Sequence, residues 1–331
     1  MKVVFFGTSE FAVPVLHAVG DAHDVIAVVT QPDRPAGRGQ KLVATPVKRA
    51  ADARDLRVFT PEKLRPFAEE ARGLGPEAFV VASYGKIVPQ MLLDLVPVAF
   101  NVHPSLLPLY RGATPLQSAI RDGRRETGVT IIAMDAGMDT GDVLLQERTP
   151  IGVEETYGEL HDRLARRGAE MAVEALGRYA DGTLERRPQH QVAAQLGIDD
   201  EDIARTLTRP LRKDDLAIDW SRPARAIVDQ VRSLAPQPLA RAALFGEPLK
   251  IERAHAVDLA HLASELGGIV SAPGEPQLVV GGARGHYRTY GMTPRGDEAV
   301  VVDRLIAPNR GSMTGEAYAQ AALQRFGRTL G

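Results

Sequence analysis

Val96-Pro97-Val98-Ala99-Phe100-Asn101-Val102-His103-Pro104-Ser105-Leu106-Leu107-Pro108 is the stretch whose reading decides the fold. Its apolar run reads as a strand, and Pro104 withdraws a backbone donor and ends the ladder. Asn101 and His103 stand two apart at the end of that run, so both side chains project from one face. In an open parallel α/β sheet, ligands bind in the crevice beyond the carboxyl ends of the strands, which is where a strand-terminal Asn-x-His falls.

Similar runs lie on either side: Val3 to Phe6, Val25 to Thr30, Ala78 to Ala82, Val129 to Met134 and Val143 to Gln146. Helix-like segments separate them at Phe11 to Val19, Val47 to Arg54, Lys63 to Arg72 and Pro115 to Arg121. This order predicts an α/β class fold with a Rossmann-like, doubly wound parallel sheet. A longer helix is expected from about Glu154 to Tyr179, with Leu160, Leu164, Met171, Ala172, Ala175, Leu176 and Tyr179 close to one stripe. Gly182, Pro188 and the acidic Asp199-Asp200-Glu201-Asp202 then break the pattern. They predict domains at 1–187 and 208–331 joined by a linker at 188–207.

In the second part Ser221 is expected to cap a helix with Pro223 near its start, where Ala224, Ile227, Val228, Val231 and Leu234 keep helical spacing. Short β-like pieces follow at Arg241 to Phe245, Leu249 to Ala254, Gly268 to Ser271, Gln277 to Val280 and Ala299 to Leu305. Such a density of short strands suits a small barrel.

The 331 residues, 44% hydrophobic, suffice for two cores. A net charge of −2 argues against a surface that is nucleic-acid-binding throughout. From Thr206 onward, however, 16 Lys and Arg stand against 13 Asp and Glu, so any RNA contact there is a local stripe. Without cysteine there are no disulfides or thiolate metal sites, and the histidines show no ligand spacing, so no metal is expected. No apolar segment approaches the length of a membrane span and no signal-peptide pattern is seen, which predicts a cytoplasmic protein without a membrane partner. Gly7-Thr8-Ser9 is a tight strand-to-helix turn without the Gly-x-Gly-x-x-Gly of dinucleotide enzymes.

Met134-Asp135-Ala136-Gly137-Met138-Asp139-Thr140-Gly141-Asp142 adds a carboxylate to the amide and the imidazole. Gly137 and Gly141 are expected to give this loop tight, positive-φ geometry that returns Asp139 towards His103. Asp135 and Asp142 read as turn or cap residues. The trio Asn101, His103 and Asp139 suits acyl transfer to an amine: negative charge builds on a carbonyl oxygen, and an amide and an imidazolium can both donate to it. Losing one such donor costs about 3–4 kcal/mol of barrier. No Ser or Cys nucleophile is needed, and no Gly-x-Ser-x-Gly elbow is present. Arg34, Arg38 and Lys41 lie among Pro35, Gly37 and Gly39 in a basic loop suited to phosphate contact.

The Asn101-x-His103-Pro104-Ser105-Leu106-Leu107-Pro108 motif followed by Asp139 resembles the signature of the folate-dependent formyltransferases. Val4 to Ala12, Gln31 to Leu42 and Ile218-Asp219-Trp220 are similar to the branch of that family acting on methionyl initiator tRNA. The likeness spans nearly the whole chain and is densest over residues 1 to about 150. It implies 10-formyltetrahydrofolate as formyl donor, the α-amino group of methionine on initiator tRNA as acceptor, and no obligate protein partner. It further implies Asn101, His103 and Asp139 as the catalytic trio, Ser105, Leu106, Leu107 and Pro108 as folate-binding, and Arg34, Arg38 and Lys41 as tRNA-binding. The second domain would be an open oligonucleotide-binding-type (OB-like) barrel. The chain departs from the family at Leu109-Tyr110-Arg111, where a tryptophan is common, at Ser233 to Ala240, which lacks Asn-Pro-Trp-Pro-Gly, and in its acidic linker. Formylation of an amino-sugar nucleotide or of glycinamide ribonucleotide, or a non-catalytic RNA-binding role, are the alternatives.

Overall fold

The structure of the protein, a computed structural model, describes residues 1–36, 40–244, 246–258, 269–272, 275–283, 286–292 and 298–326. They form two compact units, one of Met1–Leu116, Glu126–Pro150 and Leu160–Arg209, the other of Gln117–Arg125, Ile151–Glu159 and the residues from Pro210 onward.

Along the chain come β1 (Lys2–Gly7), α1 (Ala12–Ala22), β2 (Asp24–Val29), β3 (Arg34–Ala36), β4 (Lys41–Val43), α2 (Pro46–Asp52), β5 (Val58–Phe59), α3 (Leu64–Leu74), β6 (Ala78–Ala82), α4 (Gln90–Leu93), β7 (Val98–His103), α5 (Pro115–Arg121), β8 (Glu126–Ala133), β9 (Val143–Pro150), α6 (Tyr157–Ala180), α7 (Gln189–Leu196) and α8 (Asp200–Arg205). One sheet has the order β5-β2-β1-β6-β7-β8-β9, while β3 and β4 form a separate two-stranded ribbon. Pairings from β5 to β7 are parallel. β8 is antiparallel to both β7 and β9, so the sheet is mostly parallel rather than parallel throughout. The reason for the second reversal is length: nine residues between β8 and β9 cannot make a parallel crossover, which needs a dozen or more. β8 is buried at every position after Glu126, and a strand covered on both faces reads the same in either direction.

Phe6, Phe79, Tyr84 and Leu92 fill one core of this unit. Each such side chain contributes about 1.5–3 kcal/mol by leaving water. The stripe of α6 is buried from Leu160 to Leu176 as its spacing predicted, and Tyr179 sets its ring edge-on to Phe100 at 6.2 Å between centroids.

The stretch read as a linker, 188–207, holds the helices α7 and α8 and belongs to the first unit through Arg209. Its acidic run has a helical purpose. The Asp199 side chain accepts from the Asp202 backbone N–H as an N-cap, and Asp200, Glu201 and Asp202 occupy the first turn, where the helix dipole favours negative charge.

The second unit contains α9 (Ala224–Leu234), β10 (Ala240–Leu244), β11 (Glu247–Asp258), β12 (Ile269–Ala272), β13 (Glu275–Ala283), β14 (His286–Met292), β15 (Glu298–Ile306), β16 (Ser312–Thr314) and α10 (Gly315–Phe326). Its sheet is antiparallel in the order β10-β11-β15-β14-β13-β12, with β16 on β15. Trp220, Ile227, Val231 and Leu234 pack with Leu249, Ile251 and Val302 in its core. Ser221 does not cap α9: its hydroxyl and N–H both bond Asp219 Oδ1, and Pro223 takes the N-cap position. β14, β16 and α10 were not expected from the sequence. Phe245 and Gly268, at the ends of two expected strands, lie outside the described residues.

Candidate active site

Asn101 and His103 close β7, and their common face receives the loop between β8 and β9. Because β8 runs antiparallel, it ends level with Phe100, and its loop must turn back along β7 to reach them. Asp139 is the group it delivers. Asn101 Nδ2 donates to Asp139 Oδ1 at 3.0 Å, and the Gly112 backbone N–H donates to Oδ2 at 2.9 Å. His103 Nδ1 stands 3.6 Å from the same Oδ2. Its Nε2 lies 2.9 Å from the Tyr110 carbonyl, which can only accept, so this nitrogen carries the hydrogen. The structure thus brings the three residues of the expected trio together. His103 and Asp139 expose only 5% and 13% of their side chains, so little water screens them.

The backbone does not take the expected form. Neither Gly137 nor Gly141 has positive φ; Asp139 itself does, at 55°. A non-glycine residue in that region costs on the order of 1–3 kcal/mol and persists only when its surroundings fix it. Gly141 instead provides space, since a Cβ there would lie 1.7 Å from the Ala133 carbonyl oxygen. Asp135 is the turn residue expected of it, accepting from the Gly137 N–H and the Thr140 hydroxyl.

Two residues that motif reading missed hold this loop. Gln189, the first residue of α7, donates to the carbonyls of Asp139 and Gly141, each at 2.8 Å. Its Oε1 accepts from Arg111 Nε and Nη2 at 3.0 and 2.7 Å. Burial lowers the pKa of Arg111, opposed by the charges of Asp139 and Asp135. Thr208 supports the other rim: its N–H and hydroxyl both donate to the Arg111 carbonyl, and Gly112, at φ 110°, leaves no room for a Cβ against the Thr208 carbonyl. The signal in the sequence was one Gln after Pro188 in a polar stretch, which periodicity cannot distinguish from a solvated one.

The Ser105-to-Pro108 segment is fastened from beneath. Thr130, opposite His103 on β8, donates to the Ser105 carbonyl and receives the Leu107 N–H, while Gln146 bonds the Leu107 carbonyl. Ser105 and Leu107 have no exposed surface and Pro108 is buried, whereas Leu106 is half-buried. Arg34 and Lys41 lie exposed on the β3–β4 ribbon, with Arg34 bonded to the Gln31 side chain. Arg38 lies outside the described residues. Among the described residues no cluster of three or more His, Asp or Glu could hold a metal ion, and no helix is long and apolar enough to cross a membrane.

The formyl transferase family matches this chain over residues 1–176, and the formyl transferase C-terminal domain matches residues 210–322. The chain belongs to the formyl transferase family. Within it, the chain is 42% identical to methionyl-tRNA formyltransferase of Xylella fastidiosa (strain M23) over 305 residues, 91% of this chain and 95% of that one. It is 46% identical to methionyl-tRNA formyltransferase of Solibacter usitatus (strain Ellin6076) over 286 residues, 85% of this chain and 88% of that one. In fold it is similar to an N-formyltransferase from Helicobacter canadensis solved with folinic acid and dTDP-3-aminofucose, at a TM-score of 0.62 and 19% identity, covering 91% of this chain and 98% of the other.

Proposed function

We propose that this chain is a formyltransferase that moves the formyl group of 10-formyltetrahydrofolate to the α-amino group of methionyl initiator tRNA, in the cytoplasm where translation starts. The observation that carries this reading is the convergence of Asn101, His103 and Asp139 in a chain whose full-length relatives carry that activity in their names.

The amine nitrogen attacks the formyl carbon, and the carbonyl electron pair moves onto oxygen. Asn101 gives one amide hydrogen to Asp139 and keeps the other for that oxygen. His103, anchored by the Tyr110 carbonyl, keeps its Nδ1 edge beside the same position; at 3.6 Å it is not committed to a hydrogen bond with Asp139. The tetrahedral species collapses with cleavage of the bond to the folate nitrogen. That nitrogen gains a proton as the amine loses one, with the Asp139 carboxylate beside the exchange. Leu106 and the backbone of Ser105 to Pro108 form one wall for the folate. Arg34, Arg38 and Lys41 meet the tRNA acceptor end through phosphate contacts. The first unit, which runs through Arg209, carries the chemistry, and the residues from Pro210 onward add RNA affinity.

The test is to incubate purified protein with 10-formyltetrahydrofolate and, in parallel, methionyl-tRNA, glycinamide ribonucleotide and an amino-sugar nucleotide. Formylmethionyl-tRNA is the expected product. Transfer only to one of the small acceptors would sink the assignment, and transfer to none would favour a non-catalytic RNA-binding role.

A further inference from the structure

We propose that Gln189 is a positioning residue for the formyl transfer assigned above, an inference that rests on that reading. Its amide has two donor and two acceptor positions, and the four contacts use all of them: two loop carbonyls on one side and the Arg111 guanidinium on the other. Gln189 is itself 5% exposed and its bond to the Gly141 carbonyl is buried, so its loss would leave that carbonyl unsatisfied and release the partly buried Asp139 carbonyl and Arg111 guanidinium from their shared partner.

The contacts fall where they control the carboxylate. One carbonyl belongs to Asp139 and the other to Gly141, so Gln189 grips the loop on both sides of Thr140 and fixes the backbone that holds Asp139 at φ 55°. Arg111, which Gln189 also holds, directly precedes Gly112, whose N–H binds the Asp139 carboxylate. One side chain therefore sets both the origin of Asp139 and one of the groups that receive it. Gln189 touches neither Asn101 nor His103 in these contacts; its action passes through Asp139. Thr208 braces the Arg111 carbonyl from the far end of the same connecting segment, so residues 188–208 complete the catalytic loop as well as linking the two parts of the chain.

Replacement of Gln189 should loosen the aim of the carboxylate without removing any group that binds folate or tRNA. A misplacement of about 1 Å near the reacting atoms costs roughly 100-fold in rate. The test uses the full-length Gln189→Glu and Gln189→Met variants, with formylation of methionyl-tRNA normalised to the folded fraction from thermal unfolding. Gln189→Glu keeps the shape and the acceptor towards Arg111 but turns a carboxylate on two carbonyl oxygens; Gln189→Met keeps the volume and loses all four bonds. Both should lose roughly 10- to 100-fold in kcat while KM for the donor and for tRNA stays within about threefold. A normalised kcat within about twofold of wild type in either variant, or equal changes in kcat and both KM values, would overturn the role of Gln189. Inactivity of the wild-type chain would overturn the reaction assignment and this inference with it, whereas active wild type with equally active variants overturns this inference alone.

Discussion

The loop around Asp139 and the β3–β4 ribbon answer to opposite demands. At Asp139 the side chain and its neighbour His103 are largely withdrawn from water although Met138 and Thr140 beside it are exposed, both carboxylate oxygens are engaged, and Gln189 fixes the backbone behind them. On the ribbon, Arg34 and Lys41 are exposed, as are Leu42 at 70% and Val43 at 45%. The first region can lower a barrier because its dipoles are placed before the substrate arrives. The second presents charge and apolar side chains to solvent, and its three-residue strands form no part of the main sheet. In the proposed reaction, chemistry would fall to the first region and recognition of the tRNA to the second.

The comparison is broken most directly at Asp139. Asp139→Asn should lower kcat by roughly 100- to 1000-fold with the fold intact, read by single-turnover transfer and circular dichroism. Near-wild-type transfer by the folded variant would remove the carboxylate from the chemistry. His103→Ala should follow at roughly 100-fold, since with Nε2 committed to the Tyr110 carbonyl the ring as an imidazolium would donate from Nδ1 to the oxyanion; a folded variant with an unchanged rate would leave Asn101 alone in that role. Gly141→Ala tests the loop's shape without touching a reacting group. Its Cβ would meet the Ala133 carbonyl oxygen at 1.7 Å, so a loss of roughly 1–3 kcal/mol in unfolding free energy is expected together with lower kcat. Unchanged stability would show that the loop can shift freely.

On the ribbon side the effects should be smaller and confined to the tRNA. Arg38→Ala should lower kcat/KM for methionyl-tRNA by roughly tenfold, the worth of one charge-assisted hydrogen bond, and leave folate affinity unchanged in a binding titration. An equal loss of folate affinity would make this segment a cofactor lid. Leu42→Ala should change thermal stability least, by less than about 0.5 kcal/mol, because so exposed a side chain supports no core.

The sequence disclosed what periodicity can carry. β1, β2, β6 and β7 stood out as apolar runs bounded by turn residues, and the two-residue spacing of Asn101 and His103 put them on one face. The direction of β8 was not legible, because a strand buried on both faces has no alternation to orient it. Positive φ at Asp139 was assigned to its glycine neighbours, since glycine supplies both conformational freedom and room, and only coordinates separate the two. α7 was hidden behind Pro188 and a polar run; its Gln189 is buried by hydrogen bonds rather than by apolar packing, and such burial leaves no hydrophobic signal. In the second unit Ala224, Ile227, Val231 and Leu234 of the buried cluster followed helical spacing, while β14, rich in polar residues, gave no strand pattern.

The Ala133 N–H donates to the Asp142 carbonyl at 2.9 Å, joining the two ends of the segment Met134 to Asp142. Chain segments tied at their base have already surrendered the configurational entropy of closure, an amount that grows only slowly with the number of residues enclosed. For Asp139 that loss falls at folding, once, instead of at every encounter with substrate. In the proposed reaction the carboxylate would therefore meet each incoming amine with the closure of its loop already complete.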